Sequence, residues 1–440
     1  DFAVSGTIEL TLGELVVDKT LRIDGPGAEL LTIDASGNDP TPDVDNGDGS
    51  RVMRVTGDSV SVLRVTLTGG DVNGAGGAVL ADGSVRATQA TVRQNAATGD
   101  NAYGGGVSAG GDVTLLETTV SGNTTYGDEA HGGGIHARGK VAVSGSAIDH
   151  NATTGAHADG GGIWSYDTVR VISTTINNNS AAGNLGGGGI YAYGRVTVDD
   201  STISGNRSDN EGGGILAYSS ATVTDSTISH NSSGGGTGGG GIWAFEGASL
   251  THSTVNGNST LGGGGGGVWA VLPVSLNHST VSGNSAAGDG GGVRTYGTVT
   301  VRHSTVSSNS AANNGGGIWT GSGGSIGHSI VAGNHSDNSL AADVFDRSDS
   351  LGATFSLIGD NNGSGLSEAP TPDAMGNLIG GPVHGVIDVM LAPLADNGGP
   401  TFTHAPLVGS PAIDAGDPAL DGPQGYDQRG ELHPRVLGEA

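Results

Sequence analysis

Two short motifs alternate along most of this chain at a nearly fixed period, and that period limits the fold more than any other feature. One is Gly-Gly-Gly followed by Ile or Val, which sets Val107, Ile135, Ile163, Ile190, Ile215, Ile242, Val268, Val293 and Ile318 in register, with Val79 as an earlier variant. The other is Ser/Thr, a small residue, Ile/Val, two residues and then Asn. It places Asn95, Asn123, Asn151, Asn179, Asn206, Asn231, Asn258, Asn284, Asn309 and Asn334 at spacings of 25 to 28 residues. Between the motifs run alternating segments such as residues 195–199, Arg-Val-Thr-Val-Asp, whose period of two marks strands with one buried face. Helical periodicity is missing.

A coil of this length with three short strands cannot bury its apolar side alone, so coils must stack, each strand pairing in parallel with its copy one period later. Parallel crossovers are right-handed. The expected fold is therefore all-β, a right-handed single-stranded parallel β-helix of about thirteen coils, on the order of 60 Å long at the spacing of paired strands. An N-terminal cap and acidic loop fill residues 1–50, the repeats 51–365, and an irregular C-terminal domain 366–440. The 86 glycines against 17 aromatics suit such a coil better than a globular core. Three successive glycines allow positive φ where the loop re-enters the sheet. They do not read as a phosphate cradle, because no Lys-Ser/Thr follows. The ten asparagines are expected to form a structural ladder, each amide bonding its copies in neighbouring coils. That role also accounts for Asn-x-Ser/Thr triplets at Asn151, Asn206 and Asn258 without glycosylation.

With 44 acidic against 17 basic side chains, the formal charge is -27, which repels nucleic acid and anionic lipid. No cysteine is present, so disulfides and thiol chemistry are excluded. No apolar run is long enough to span a bilayer. Residues 1–4, Asp-Phe-Ala-Val, read as the interior of a strand, which suggests a processed start. No cofactor is required by the pattern. Asp43, Asp45 and Asp48 have spacings that calcium could use, although the rest of an EF-hand loop is missing.

The C-terminal part carries residues 391–401, Leu-Ala-Pro-Leu-Ala-Asp-Asn-Gly-Gly-Pro-Thr, then 409–417, Gly-Ser-Pro-Ala-Ile-Asp-Ala-Gly-Asp, and 427–430, Asp-Gln-Arg-Gly. These stretches resemble the choice-of-anchor Q domain of exported bacterial proteins. The alternating repeats resemble those of polymorphic outer-membrane-protein-like and pectate-lyase-like β-helix proteins. The resemblance implies export and attachment to the bacterial cell surface, and no activity. Members usually close with one more strand and an anchor, whereas this chain stops at Glu439 and Ala440.

If Ile163 points inward, Trp164 and Tyr166 point outward, and reading that strand coil by coil gives two outer columns. One contains His136, Trp164, Tyr191, Leu216, Trp243, Trp269, Arg294 and Trp319; the other Arg138, Tyr166, Tyr193, Tyr218, Phe245, Val271 and Tyr296. The aromatics of this stripe are the expected contact surface, for a second copy or another surface protein, for a polysaccharide, or for one another. Another column, just before the Ser/Thr pair, runs through Glu117, Gly145, Ser173, Asp200 and Asp225 to His252, His278, His303 and His328. It reads as a repeated polar position, with metal binding the sharper alternative. Asp199, Asp200 and Asp225 are the candidate catalytic set of an alternative polysaccharide lyase or hydrolase. The first expectation is a non-enzymatic, extracellular structural or adhesive protein that self-assembles through its aromatic face or its ends.

Overall fold

The chain was analysed as a computed structural model, which describes residues 4–338, 342–417, 427–430 and 433. The strand expected across Asp1 to Ala3 and the chain end at Glu439 and Ala440 lie outside the described residues. By internal contacts the chain divides into two compact units, Asp1–Ser219 and Ser220–Ala440.

Both units are built from the same coil, exemplified by the strands Ile163–Ser165, Val169–Ile172, Thr175–Asn177 and Ser180–Ala181. Among the described residues eleven coils thus hold four strands where the period suggests three. The extra strand is only two residues long and follows the ladder asparagine, too short to leave an alternation in the sequence. Second strands of the first unit number seven, from Leu21–Asp24 to Val196–Asp199, and those of the second unit six, from Ser220–Thr224 to Leu351–Thr354, which makes thirteen coils. Pairing is parallel and in register: Val85, Val113, Val141, Val169 and Val196 face one another in turn. Ala248, Val274 and Val299 do the same in the second unit. Inward-facing Ile135, Ile163, Ile190, Ile242 and Val268 are fully buried, and a core of this kind is worth about 1.5–3 kcal/mol per aliphatic side chain.

Two corners of each coil use left-handed backbone. The first lies between the second and third strands, where Glu117, Ser173 and Asp200 in the first unit, and Asp225, His252, His278, His303 and His328 in the second, all have φ between 45° and 52°. This is the polar column of the sequence, and the backbone explains its composition, because Asn, Asp and His tolerate this region better than bulky residues. The next residue is always Ser or Thr and forms a hydroxyl ladder. Ser253 N–H donates to Ser279 Oγ (3.2 Å), Ser279 N–H to Ser304 Oγ (3.0 Å) and Ser304 N–H to Ser329 Oγ (3.1 Å).

The second left-handed corner directly precedes the asparagines, at residues such as Gln94, His150, Asn178 and His230. In the first unit Asn123 N–H and Nδ2 both donate to Asn151 Oδ1 (3.1 and 2.9 Å), and Nδ2 also donates to Val92 O (3.0 Å). Asn95, Asn151 and Asn179 repeat this donation to the next asparagine, ending on Asn206. In the second unit the series runs through Asn231, Asn258, Asn284 and Asn309 to Asn334. At one end Gly70 N–H supplies the donor for Asn95 Oδ1. At the other, Asp343 Oδ1 accepts from Asn334 N–H and Nδ2, while Oδ2 accepts from Asp360 N–H. An aspartate suits this last rung because only donors face it. Burial nevertheless pushes the Asp343 carboxyl up to about 7.

Among the described residues after Leu357–Ile358, only Leu378–Ile379 adds a further parallel strand. Ala332, Leu357 and Val389 then form a small buried cluster with Ile387, Leu391 and Ala412 packed against it. Among the described residues the only helical segment is the short turn Ser36–Asn38, and no helix is long and apolar enough to cross a membrane.

Candidate functional site

The inner aromatic column is buried, contrary to the exposed stripe expected from the alternation. Trp164 and Tyr191 in the first unit, and Trp243, Trp269 and Trp319 in the second, retain 6 % exposure or less. Segments that precede the glycine triplets reach the column, Tyr103 and His131 stacking on it and Thr237 accepting from Trp243, so an outward direction from the strand does not reach solvent there. The first glycine of the triplet makes the approach. A Cβ on Gly160 would sit 2.8 Å from Trp164 Cβ, and one on Gly239 2.8 Å from Trp243 Cβ, both at φ of 70° or more.

In the first unit this column is a continuous ring stack. Tyr103 lies on His136 (4.5 Å), His136 on Trp164 (4.7 Å) and Trp164 on Tyr191 (5.7 Å), with planes within 15°. His131, from a covering loop, also stacks on Trp164 at 5.0 Å. Burial lowers the His131 imidazole to about 4 and that of His136 to about 3, so both are neutral near pH 7. Asp159, beside His131 at 3.8 Å, is raised by burial to about 6, although Leu185 and Gly186 N–H groups donate to it.

The outer column is the exposed part. Tyr166, Tyr193 and Tyr218 of the first unit stack face to face at 5.2 Å with planes 12° and 16° apart. Tyr166 is 54 % exposed. The rings occupy one another's faces, so the row shows solvent mainly edges and hydroxyls. In the second unit Phe245 and Tyr296 are exposed, and Trp243 stacks on Trp269 at 5.1 Å. Trp243 Nε1 donates to Thr237 Oγ1 (2.9 Å). Arg294 takes an aromatic's place in the column, with its guanidinium 5.2 Å from the Trp319 ring centre, a cation–π arrangement.

The candidate catalytic carboxylates fall on ordinary coil positions. Asp199 ends a second strand in the first unit, and Asp200 follows it in the left-handed corner, accepting from Ser173 Oγ (2.8 Å). Asp225 occupies the same corner in the second unit, with Oδ1 3.4 Å from His252 Nδ1. In the acidic loop, Asp48 groups with Asp39 and Asp71, their carboxylate oxygens within 4.8 Å of one another, while Asp43 and Asp45 stay outside the group. Asp45 instead accepts from Tyr126 OH (2.7 Å), and Tyr126 is pushed up to about 12, first by burial and then by that bond. Burial also raises Asp39 and Asp71.

Sequence reasoning missed one assembly in the second unit, a clasp made by the C-terminal motifs. Buried Gln428 accepts from Thr280 Oγ1 (2.7 Å) and donates through Nε2 to Thr254 Oγ1 and Thr401 Oγ1 (2.9 Å each). Thr401 Oγ1 in turn donates to His252 O (3.1 Å), and His404 Nε2 meets Ser282 Oγ at 2.8 Å. Arg429 is held by Asp427 (2.6 Å), and a Cβ on Gly399 would strike Arg429 Cα at 2.4 Å. The Asn-Gly-Gly-Pro-Thr and Asp-Gln-Arg-Gly stretches thus fit one another on the third-strand face. A cleft of about 220 Å³ remains between His303, Thr305, Asn397, His404 and Arg429. Two motifs rich in glycine and amides, far apart in sequence, were the available signal.

Residues 117–286 match the family model described as right handed beta helix region. Neither a curated protein nor a solved structure matches the chain. Together with the in-register parallel strands, the match makes this chain a parallel β-helix protein.

Proposed function

We propose that the chain is an exported structural protein of the bacterial cell surface, a rigid displayed scaffold and not an enzyme. The observation that carries this reading is the investment of its distinctive side chains in internal order. The asparagines and serines form ladders, the inner aromatics are packed beneath loops, and the C-terminal motifs clasp the coil. The outer surface that remains is strongly acidic, which suits a solvated extracellular location. The resemblance of the clasp motifs to the choice-of-anchor Q domain supports export and surface attachment. Contact with a second copy or another surface protein is assigned to the exposed Tyr166 and Tyr193 and the part-buried Tyr218 beside them.

A polysaccharide ligand is the weaker reading, because sugar rings stack on open aromatic faces and Tyr166, Tyr193 and Tyr218 lie with their faces against one another. Immunogold labelling of intact cells and of thin sections of the encoding organism tests the proposal. Label on the outer surface is expected, and label confined to the cytoplasm overturns it.

A further inference from the structure

We propose that Arg86 and Arg170 clamp an extended acidic peptide on the outer face of the second strands of the first unit, a segment with carboxylates four residues apart and an apolar side chain midway. Register sets the two arginines in one outward column. Arg86 faces Thr114, Thr114 faces Ala142, and Ala142 faces Arg170 across four neighbouring strands. The corresponding outward position in the second unit holds only small hydroxyl residues, Thr222, Ser249, Ser275, Thr300 and Ser325. Two residues further along the strands, the first unit sets Leu116 and Ile172 outward where the second unit has Thr224, Thr251 and Asn277. The repeat shows what a coil needs on this face, and these side chains exceed it.

Both arginines are exposed, and both line an open groove of about 210 Å³ with Thr114, Ala142, Leu116 and Ile172. Arg51, Arg54, Arg64 and Arg207 of the same unit each hold a carboxylate. Among the described residues, Arg86 and Arg170 hold none, although the chain carries a formal charge of -27. The hydroxyls of Thr114 and Ser144, between them, engage no hydrogen bond among the described residues either. The groove thus offers two guanidinium forks at its ends, an aliphatic wall and two hydroxyls, all without internal partners.

Spacing identifies the occupant. Three strand steps of about 4.8 Å separate the two arginine positions by about 14 Å along the stack. An extended peptide advances about 3.3 Å per residue, so its residues i and i+4 stand about 13 Å apart and share one face with i+2. Carboxylates at i and i+4 then meet one guanidinium each, in the two-pronged pairing that arginine favours. The side chain at i+2 rests over Thr114 and Ala142 against Leu116 and Ile172. A polymer charged at every unit would also set carboxylates over Ala142, Leu116 and Ile172, where no cation faces them, and that desolvation disfavours it.

The test is fluorescence anisotropy of the full chain with a short labelled peptide that carries two glutamates four residues apart and a leucine midway, at low salt. Saturable binding is expected. Arg86→Gln and Arg170→Gln are each expected to weaken it fivefold or more, with an unchanged circular-dichroism melt because both side chains are exposed. Arg207→Gln removes the same charge from an exposed ion pair of this unit and is expected to bind like wild type. A peptide with its glutamates three residues apart turns them to opposite faces and is expected to bind fivefold or more weakly. No saturation by about 1 mM peptide overturns the proposal. So do a smaller loss in either arginine variant, equal binding of the two peptides, or displacement by polygalacturonate at equal carboxylate concentration.

Discussion

Replacing Asn284 by alanine removes the centre of the second unit's ladder. Its Oδ1 accepts from Asn258 N–H (3.0 Å) and Asn258 Nδ2 (2.9 Å), and its Nδ2 donates to Val255 O (2.9 Å) and Asn309 Oδ1 (2.8 Å). The Asn258 amide retains Ile228 O and Asn256 O as acceptors, whereas the Asn258 backbone N–H is left buried without a partner. One stranded donor costs about 1–3 kcal/mol, and the lost side-chain bonds about 1 kcal/mol each, so we predict roughly 3–5 kcal/mol of destabilisation. Asn284→Asp separates donor from acceptor roles. It keeps the acceptor but turns a carboxylate toward Val255 O and Asn309 Oδ1, so it should be worse than alanine at pH 7 and recover as acid protonates it. Guanidinium unfolding of both variants, with half-exposed Asn256→Ala as the reference, measures the effect. If Asn284→Ala costs less than about 1 kcal/mol, no more than the net value of one hydrogen bond, the ladder does not hold the coils together.

Gly239→Ala forces a Cβ to 2.8 Å from Trp243 Cβ at φ of 74°, and is predicted to cost about 2–4 kcal/mol, read as a lower unfolding midpoint. His136 is protonated in the unfolded chain below its ordinary pKa of 6.5 but in the fold only near 3, so its contribution to stability is lost as pH falls through that window. His136→Phe keeps the stack and should flatten the decline in melting temperature between pH 6.5 and 4; an unchanged slope refutes this. Gln428→Ala removes the pin of the clasp and should make residues 391–406 sensitive to limited proteolysis while amide exchange in the coils stays slow. Equal protection of that segment in both proteins contradicts the assignment.

The period, the inward Ile and Val positions and the ten ladder asparagines were legible in the sequence because each is repeated local information. A residue recurring every coil must meet its copy, whatever else the chain does. The hydroxyl ladder was half legible: its Ser and Thr residues stand in the motif, but the left-handed corner beside them is a backbone property that Glu117, Asp200 and His278 share without resembling one another.

Only tertiary structure decided what lies on the outside. Alternation places Trp164 and Trp243 on the outer side of the strand, and the loops then cover that side, since burying an indole stabilises more than exposing it. It also decided the ladder's end at Asp343 and the clasp, in which Gln428 meets Thr280 across 148 residues of sequence. Contacts of that separation leave no period to read. They depend on which surfaces remain open once the coils have stacked.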